Sequence, residues 1–306
     1  MGTIRTEADA ETTPEAAKVT TVPAADRIRQ GSRALVVAFL LALLFVCCQL
    51  GPILVGRRRT RWLAWRAALQ VRVARGVTTV LGVRRDVTGE APVGPCLFVS
   101  NHLGYLDVAV LASLFPAVFV AKSEVASWAV IGPLCRASGT IFVDRDRRLD
   151  VRRTRTLIET ALRDGQVVVV FPESVSTPGH TVLPFHASLL DAAGRLGVPV
   201  GYATLRYAIP GDPAAASTSV CFWGSMKFAA HLWELLRIRR VTATVKFGPT
   251  PLAAAPRRLL AADLRDAVLA QLVPMVDVPP TRWQTEVGGG LAGTARRASQ
   301  SVPTAT

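Results

Sequence analysis

An α/β fold is predicted, a mostly parallel sheet flanked by helices with an N-terminal transmembrane or interfacial helix, and three features of the sequence predict it. Short, strongly apolar runs alternate with longer helical stretches along most of the chain, the pattern of strands joined by crossover helices. Two of those helical stretches stop at Gly165 and Gly197, where a residue without a Cβ can take the left-handed conformation that ends a helix. Near the N-terminus, Ala34 to Val55 form a run of 22 residues with no charge and one strongly polar side chain, Gln49.

Taken in order, residues 1–33 are rich in Thr, Ala, Glu and Pro and lack periodicity, which predicts a disordered leader. A helix over 34–55 would be about 33 Å long at ~1.5 Å per residue, enough to cross a hydrocarbon core of ~30 Å. Lys18, Arg27, Arg29 and Arg33 precede it. Arg57, Arg58, Arg59, Arg61, Arg66, Arg72 and Arg75 follow it, with no acid before Asp86. The excess of positive charge on the downstream side predicts a bacterial inner-membrane protein with the leader outside and the catalytic domain facing the cytoplasm. Pro52 leaves a re-entrant, monotopic arrangement as the alternative. Over 56–82, Trp62, Trp65, Leu69 and Val73 recur at helical spacing among arginines, as in a basic amphipathic membrane-interface helix or an ordinary surface helix.

The domain proper is expected over 83–283. Strands are predicted at Cys96–Ser100, Ala117–Ala121, Thr140–Val143, Gln166–Phe171, Val198–Leu205 and Val241–Phe247, and helices at Val151–Asp164, His186–Leu196 and Pro256–Leu272. A disordered tail is predicted over 284–306.

Composition narrows the function. The chain has 306 residues, 36 Lys plus Arg against 22 Asp plus Glu, and a formal charge of +14; half the residues are hydrophobic and 19% are charged. Against a usual charged share of about 25%, this excludes a wholly disordered chain and points to contact with a membrane. The five cysteines, at 47, 48, 96, 135 and 221, form no C-x-x-C pair, so neither a disulfide scaffold nor a metal site is expected. No G-x-S-x-G nucleophile elbow is present, which argues against a hydrolase of that kind. Arg145, Arg147, Arg148, Arg152, Arg153 and Arg155, interleaved with Asp144, Asp146 and Asp150, read as a solvated helix start or as a patch for anionic headgroups or an acidic acyl carrier protein. Nucleic acid is not an expected partner, because no binding motif accompanies the charge.

The chemistry is expected at strand ends. Asn101-His102-Leu103-Gly104-Tyr105-Leu106-Asp107 follows an apolar strand, so that an Asp entering the next helix can fold back on one imidazole nitrogen. The other nitrogen is then free to act as a general base; a structural His capped by Asp has the same spacing. Three further blocks follow: Thr140-Ile141-Phe142-Val143-Asp144-Arg145, Phe171-Pro172-Glu173-Ser174, and Val198-Pro199-Val200. In open α/β sheets ligands bind at the carboxyl ends of strands, where these groups would converge.

The four blocks together, over about residues 80 to 250, resemble the glycerolipid acyltransferase family that includes lysophosphatidic acid acyltransferases. The resemblance implies that His102 deprotonates an acceptor hydroxyl as it attacks an acyl thioester and that Asp107 orients it. It also implies that Arg145 holds the acceptor's anionic head, that Glu173 and Ser174 shape the acceptor site, and that acyl-ACP or acyl-CoA is the co-substrate, with no other cofactor. Ser174-Val175-Ser176 stands where Gly-Thr-Arg is usual in the family. Lys122, Arg147 or Arg148 could supply the missing charge. Phe171 to Gly179, Val182-Leu183-Pro184-Phe185, Trp223-Gly224-Ser225-Met226, His231-Leu232-Trp233 and Val245-Lys246-Phe247-Gly248 resemble the lyso-ornithine lipid acyltransferase branch. Lyso-ornithine lipid is therefore the favoured acceptor, lysophosphatidic acid the alternative, and a non-catalytic lipid-binding protein with a drifted site the second alternative. His180, His186 and His231 have no informative spacing and are expected to be structural.

Overall fold

A computed structural model describes residues 23–288 except 57 and 254; the rest of the expected leader and tail lies outside the described residues. In chain order come helices α1 (Ala24–Leu54) and α2 (Arg59–Val80), strands β1 (Val83–Thr88) and β2 (Cys96–Ser100), α3 (Leu106–Leu114) and β3 (Val118–Lys122). Next are α4 (Ile131–Ala137), β4 (Ile141–Val143), α5 (Arg148–Arg163), β5 (Val167–Val170), α6 (Asp191–Leu196) and β6 (Val200–Ala208). The last are α7 (Ala216–Ser219), α8 (Phe228–Arg237), β7 (Val241–Phe247) and α9 (Arg257–Gln271).

The strands form one seven-stranded sheet in the order β1-β7-β6-β2-β5-β3-β4. From β6 to β4 all neighbours are parallel, while β7 is antiparallel to β6 and carries β1 parallel to itself. Both faces are covered, and the period-2 alternation of the strands divides the core in two. Phe98, Val169, Leu205 and Tyr207 face α2 and α3, whereas Leu97, Val99, Val168 and Val170 face α5, α6 and α9. β1 was not expected. Its sequence Val-Arg-Arg-Asp-Val-Thr is mostly charged or polar and only Val83 is buried, as suits an edge strand, where charge discourages further pairing. The helix expected from His186 shortens to α6, and the His186 N–H is held by Pro172 O at 2.9 Å.

The N-terminal segment departs most from expectation. Helix α1 begins at Ala24, so residues 24–33 belong to it and not to a disordered leader. Those added turns are polar and grip the domain. Arg29 donates to Arg237 O, Gln30 to Trp233 O, and Arg33 to the carbonyls of Leu236, Ile238 and Arg239. Just past its other end, Arg59 meets Asp164 at 2.6 Å. The start of α1 thus lies against the α/β domain, with Arg33 within hydrogen-bond distance of its carbonyl partners.

Along its length α1 buries Val37, Leu44, Cys48 and Gly51 against the protein and exposes Leu35, Phe39, Ile53 and Leu54, each more than half exposed. Gly51 is where the indole of Trp62 in α2 lies too close for any Cβ. Trp62, Leu69, Val73 and Val77 of α2 accordingly pack into the core shared with α1 and α3, with Val73, Ala74, Val77 and Thr78 buried. Residues 284–288, expected in the tail, form a helical turn.

Candidate active site

At the end of β2 the chain passes over the carboxyl edge of the sheet. Asn101 stays wholly buried there and extends the ladder with its side chain, donating to Leu205 O at 2.9 Å and accepting from Leu205 N–H at 2.7 Å. His102 is thereby held at the strand's end. Its Nδ1 lies 2.8 Å from Asp107 Oδ2, and the same oxygen accepts the N–H groups of Leu103 at 2.7 Å and Gly104 at 3.0 Å. Tyr207, from the end of β6, donates its hydroxyl to Asp107 Oδ1 at 2.7 Å. A fully buried carboxylate that collects four donors is a fixed acceptor, which puts the imidazole proton on Nδ1 and the lone pair on Nε2. His102 Nε2 has no hydrogen-bond partner among the described residues, and the side chain is 23% exposed.

The ring plane is set by Phe171, stacked on the imidazole at 4.1 Å between centroids and 19° between planes. The loop between His102 and Asp107 closes tightly under Phe222, whose N–H donates to Leu103 O at 2.8 Å. Gly104, at φ +151°, has no room for a side chain: a Cβ would stand 2.8 Å from Phe222 N.

Glu173 is 2% exposed and lies behind the His102 loop. Its Oε1 accepts the His102 N–H and its Oε2 the Leu183 N–H, each at 2.7 Å. In place of shaping the acceptor side, it ties the backbone of His102 to the Val182–Phe185 segment. Burial raises its pKa to about 8, helped by the Asp107 carboxylate, while the two N–H donors and Arg265 pull the other way. The folded-state value lies above the unfolded one. Stability from the protonated form is therefore fully present below about pH 4.5 and lost as pH rises through about 8. Midpoints of urea unfolding for the wild type should thus fall, relative to Glu173→Gln, as pH rises across that window. Equal slopes for the two proteins would refute the ionisation assigned to Glu173. The constant cost of placing an amide against two N–H donors does not enter that slope.

Arg145, on the residue pair following β4, reaches across to the β5 loop. Its guanidinium donates to Ser174 Oγ and, at 3.3 Å, to Phe171 O. Ser174 has φ +69°, the left-handed region that costs a side-chain-bearing residue free energy and that the family's glycine takes freely. The hydroxymethyl group that replaces that glycine's hydrogen carries the oxygen that Arg145 meets. Ser176, in the position of the family's second arginine, donates to Phe222 O and is committed to loop packing.

Lys122 is not brought into this group. It stands at the same edge of the sheet, but its ammonium is mostly exposed and pairs with Glu124 at 2.6 Å. Arg147 is exposed, and Arg153 and Arg155 are engaged by Asp150 and Asp191, so much of the arginine cluster is an ion-paired helix face. Two participants escaped the sequence reading. Tyr207 continues the alternation of Ala203 and Leu205 two residues beyond the expected strand end, and a buried phenol at that position demands a partner. His231 proves to be joined to the site loop, its Nδ1 2.8 Å from the Tyr105 hydroxyl. Among the described residues no group of His, Cys, Asp and Glu is arranged to hold a metal ion.

A sequence profile of the family described as Acyltransferase matches residues 84–202, which include His102, Asp107, Arg145 and Glu173. The lyso-ornithine lipid O-acyltransferase of Rhodobacter capsulatus is 36% identical over 192 residues, 60% of this chain and 68% of that protein. The chain belongs to the acyltransferase family. A second acyltransferase relative, the 1-acyl-sn-glycerol-3-phosphate acyltransferase of Neisseria meningitidis, is 30% identical over 179 residues, covering 58% of this chain and 69% of its own length. The acyltransferase fold is shared with the crystal structure of the 1-acyl-sn-glycerophosphate acyltransferase PlsC from Thermotoga maritima, at a TM-score of 0.54 and 18% identity over 79% of this chain and 96% of that one. As an acyltransferase of the lysophospholipid type, the protein transfers an acyl group from an acyl donor to a lysolipid acceptor.

Proposed function

We propose that this acyltransferase moves a fatty acyl group from the thioester of acyl-ACP or acyl-CoA to the free hydroxyl of lyso-ornithine lipid. The observation that carries the reading is the His102–Asp107 pair at the carboxyl edge of the sheet, with Nε2 open to an incoming group. His102 Nε2 takes the hydroxyl proton as the oxygen attacks the thioester carbonyl. The new C–O bond forms, the C–S bond breaks, and the proton passes to the departing thiolate. Asp107 keeps the imidazole in the acting tautomer and stabilises its positive form. No acyl-enzyme is needed.

The acceptor is argued from charge. A phosphate monoester carries close to two negative charges and calls for more than one cation to replace its water. Arg145 is the one cation the motif delivers; Val175 and Ser176 occupy the place of the second, and Lys122 is engaged elsewhere. One arginine suits the carboxylate of ornithine, whose ammonium favours fewer cations nearby. The relatives' names divide between the two acceptors. With a common acyl donor, kcat/KM for lyso-ornithine lipid should exceed that for lysophosphatidic acid by about tenfold or more, the equivalent of one lost cationic contact of ~1.4 kcal/mol or more. A preference for lysophosphatidic acid would leave the family-level activity standing and sink the acceptor assignment.

For location, the reading is a bacterial inner-membrane protein held monotopically on the cytoplasmic side. The exposed apolar face of α1 enters the leaflet, and the arginines before and after it remain on one side.

A further inference from the structure

A groove of about 730 Å³ runs between the polar start of α1, helix α8 with the two residues after it, and the segment of residues 218–227. We propose that it holds the phosphate of the phosphopantetheine arm that carries the acyl thioester, an inference that rests on the acyl-transfer reading and extends it to the donor. Its walls carry Arg29, Lys227, Arg237, Arg239 and Arg282. Against these five cations stand Asp26 and Glu234 in the groove and Glu286 paired to Arg282, so an excess of two positive charges remains. Lys227 has no ion pair among the described residues. Cations gathered in a concavity of this size attract and desolvate a phosphate more strongly than the same cations spread on an open surface.

Position decides which phosphate. The groove is lined by His231, whose Nδ1 is hydrogen-bonded to Tyr105 in the loop between His102 and Asp107. Tyr105 is three residues from His102, at most about 11 Å of chain. In the sheet order the groove belongs to the β7 side of β2, and Arg145 to the β4 side. The acceptor head and the groove's anion therefore flank His102 from opposite sides. A pantetheine arm places its phosphate well away from the thioester carbon, so a donor whose carbonyl is at His102 Nε2 must have its phosphate held at some remove. An acceptor head, by contrast, must sit close to the hydroxyl that reacts.

Both acyl-CoA and acyl-ACP present this phosphate. The test is direct binding of 4′-phosphopantetheine and of pantetheine to the full-length protein in micelles, for the wild type and for a variant with Arg237→Glu and Arg239→Glu. Those two side chains are 42% and 77% exposed; the carbonyls of both residues keep their bonds to α1, and the one side-chain tie to that helix, Arg239 to Asp26 at 3.5 Å, is a largely solvated pair of small worth, so the substitutions spare the fold. The wild type should bind the phosphorylated probe about tenfold more tightly, and the variant should lose that preference. A fall in kcat/KM with acyl-CoA, with acyl-ACP or with both then identifies which carrier brings the phosphate. Equal binding of the two probes by the wild type, or a preference unchanged in the variant, would overturn the proposal. So would a variant that loses binding to anionic phospholipid vesicles while still discriminating between the probes, since the groove would then be a lipid-headgroup site. A wild-type protein that binds the phosphorylated probe preferentially but transfers no acyl group would sink the acyl-transfer reading, and with it the donor role, while keeping the groove as a phosphate site.

Discussion

Replacing His102 with alanine should lower acyl transfer about 10²- to 10⁴-fold, the usual loss when a general base is removed. The fold should survive. The contacts that hold this segment run through its backbone, with the N–H of residue 102 donating to Glu173 and its carbonyl accepting from Thr177 N–H at 2.9 Å. Alanine keeps both. What it removes is an imidazole whose Nδ1 is spoken for by Asp107 and whose Nε2 is open. Turnover with lysolipid and acyl donor, together with the unfolding midpoint, checks both halves of the expectation. A His102→Ala protein with near-normal turnover would remove His102 from the mechanism.

Asp107→Asn should lose activity over a similar range but, unlike His102→Ala, should also lose stability. The carboxylate accepts from His102 Nδ1, Leu103 N–H, Gly104 N–H and the Tyr207 hydroxyl with no exposure to water. An asparagine can turn its oxygen to the first three, but then its NH₂ faces Tyr207 and the charge that favours a protonated His102 is gone. Turned the other way, it sets an NH₂ against three N–H donors. Either arrangement leaves a buried polar group without a partner, a loss of ~1–3 kcal/mol. Circular dichroism melts of the two variants side by side separate the roles: a lower melting temperature for Asp107→Asn with His102→Ala unchanged is the expected pair of results. Unchanged melting for both would mean that the four donors do not need the charge.

The chain announces much of this arrangement. β2 and β5 lie in runs so apolar that burial on both faces of a sheet explains them, β7 shows the plain alternation of a strand with one buried face, and the Asn101–Asp107 block falls directly at the end of β2. β1 was not legible because an edge strand with Arg84, Arg85 and Asp86 carries the composition of a loop. Pairing beyond sequence reach was hidden too: Tyr207 is 100 residues from Asp107 and His231 is 126 from Tyr105, and no local pattern connects them. Glu173 illustrates a different gap. Its place in a motif at a strand end suggested a side chain facing substrate, yet its two oxygens are spent on the N–H groups of His102 and Leu183. The helix at the N-terminus was legible as apolar but not as docked, because Arg29, Gln30 and Arg33 read as solvent-facing until their carbonyl partners on α8 and beyond are seen.

The docking of α1 bears on how a substrate arrives. Arg33 holds the carbonyls of Ile238 and Arg239 just before β7, and the start of β7 pairs with the end of β6, the edge of the sheet that also carries His102. On the monotopic seating proposed above, with the apolar face of α1 in the leaflet, that edge would lie at headgroup depth. Drawing a lipid chain into water costs about 0.8 kcal/mol for each CH₂ exposed, which for a long acyl chain would dwarf the binding energy available to a single hydroxyl and one arginine. A lysolipid reacting at that depth would keep its chain in hydrocarbon throughout, so that on this seating the enzyme would meet its acceptor by lateral diffusion in two dimensions, its supply set by surface density and not by the vanishing concentration of free monomer in water.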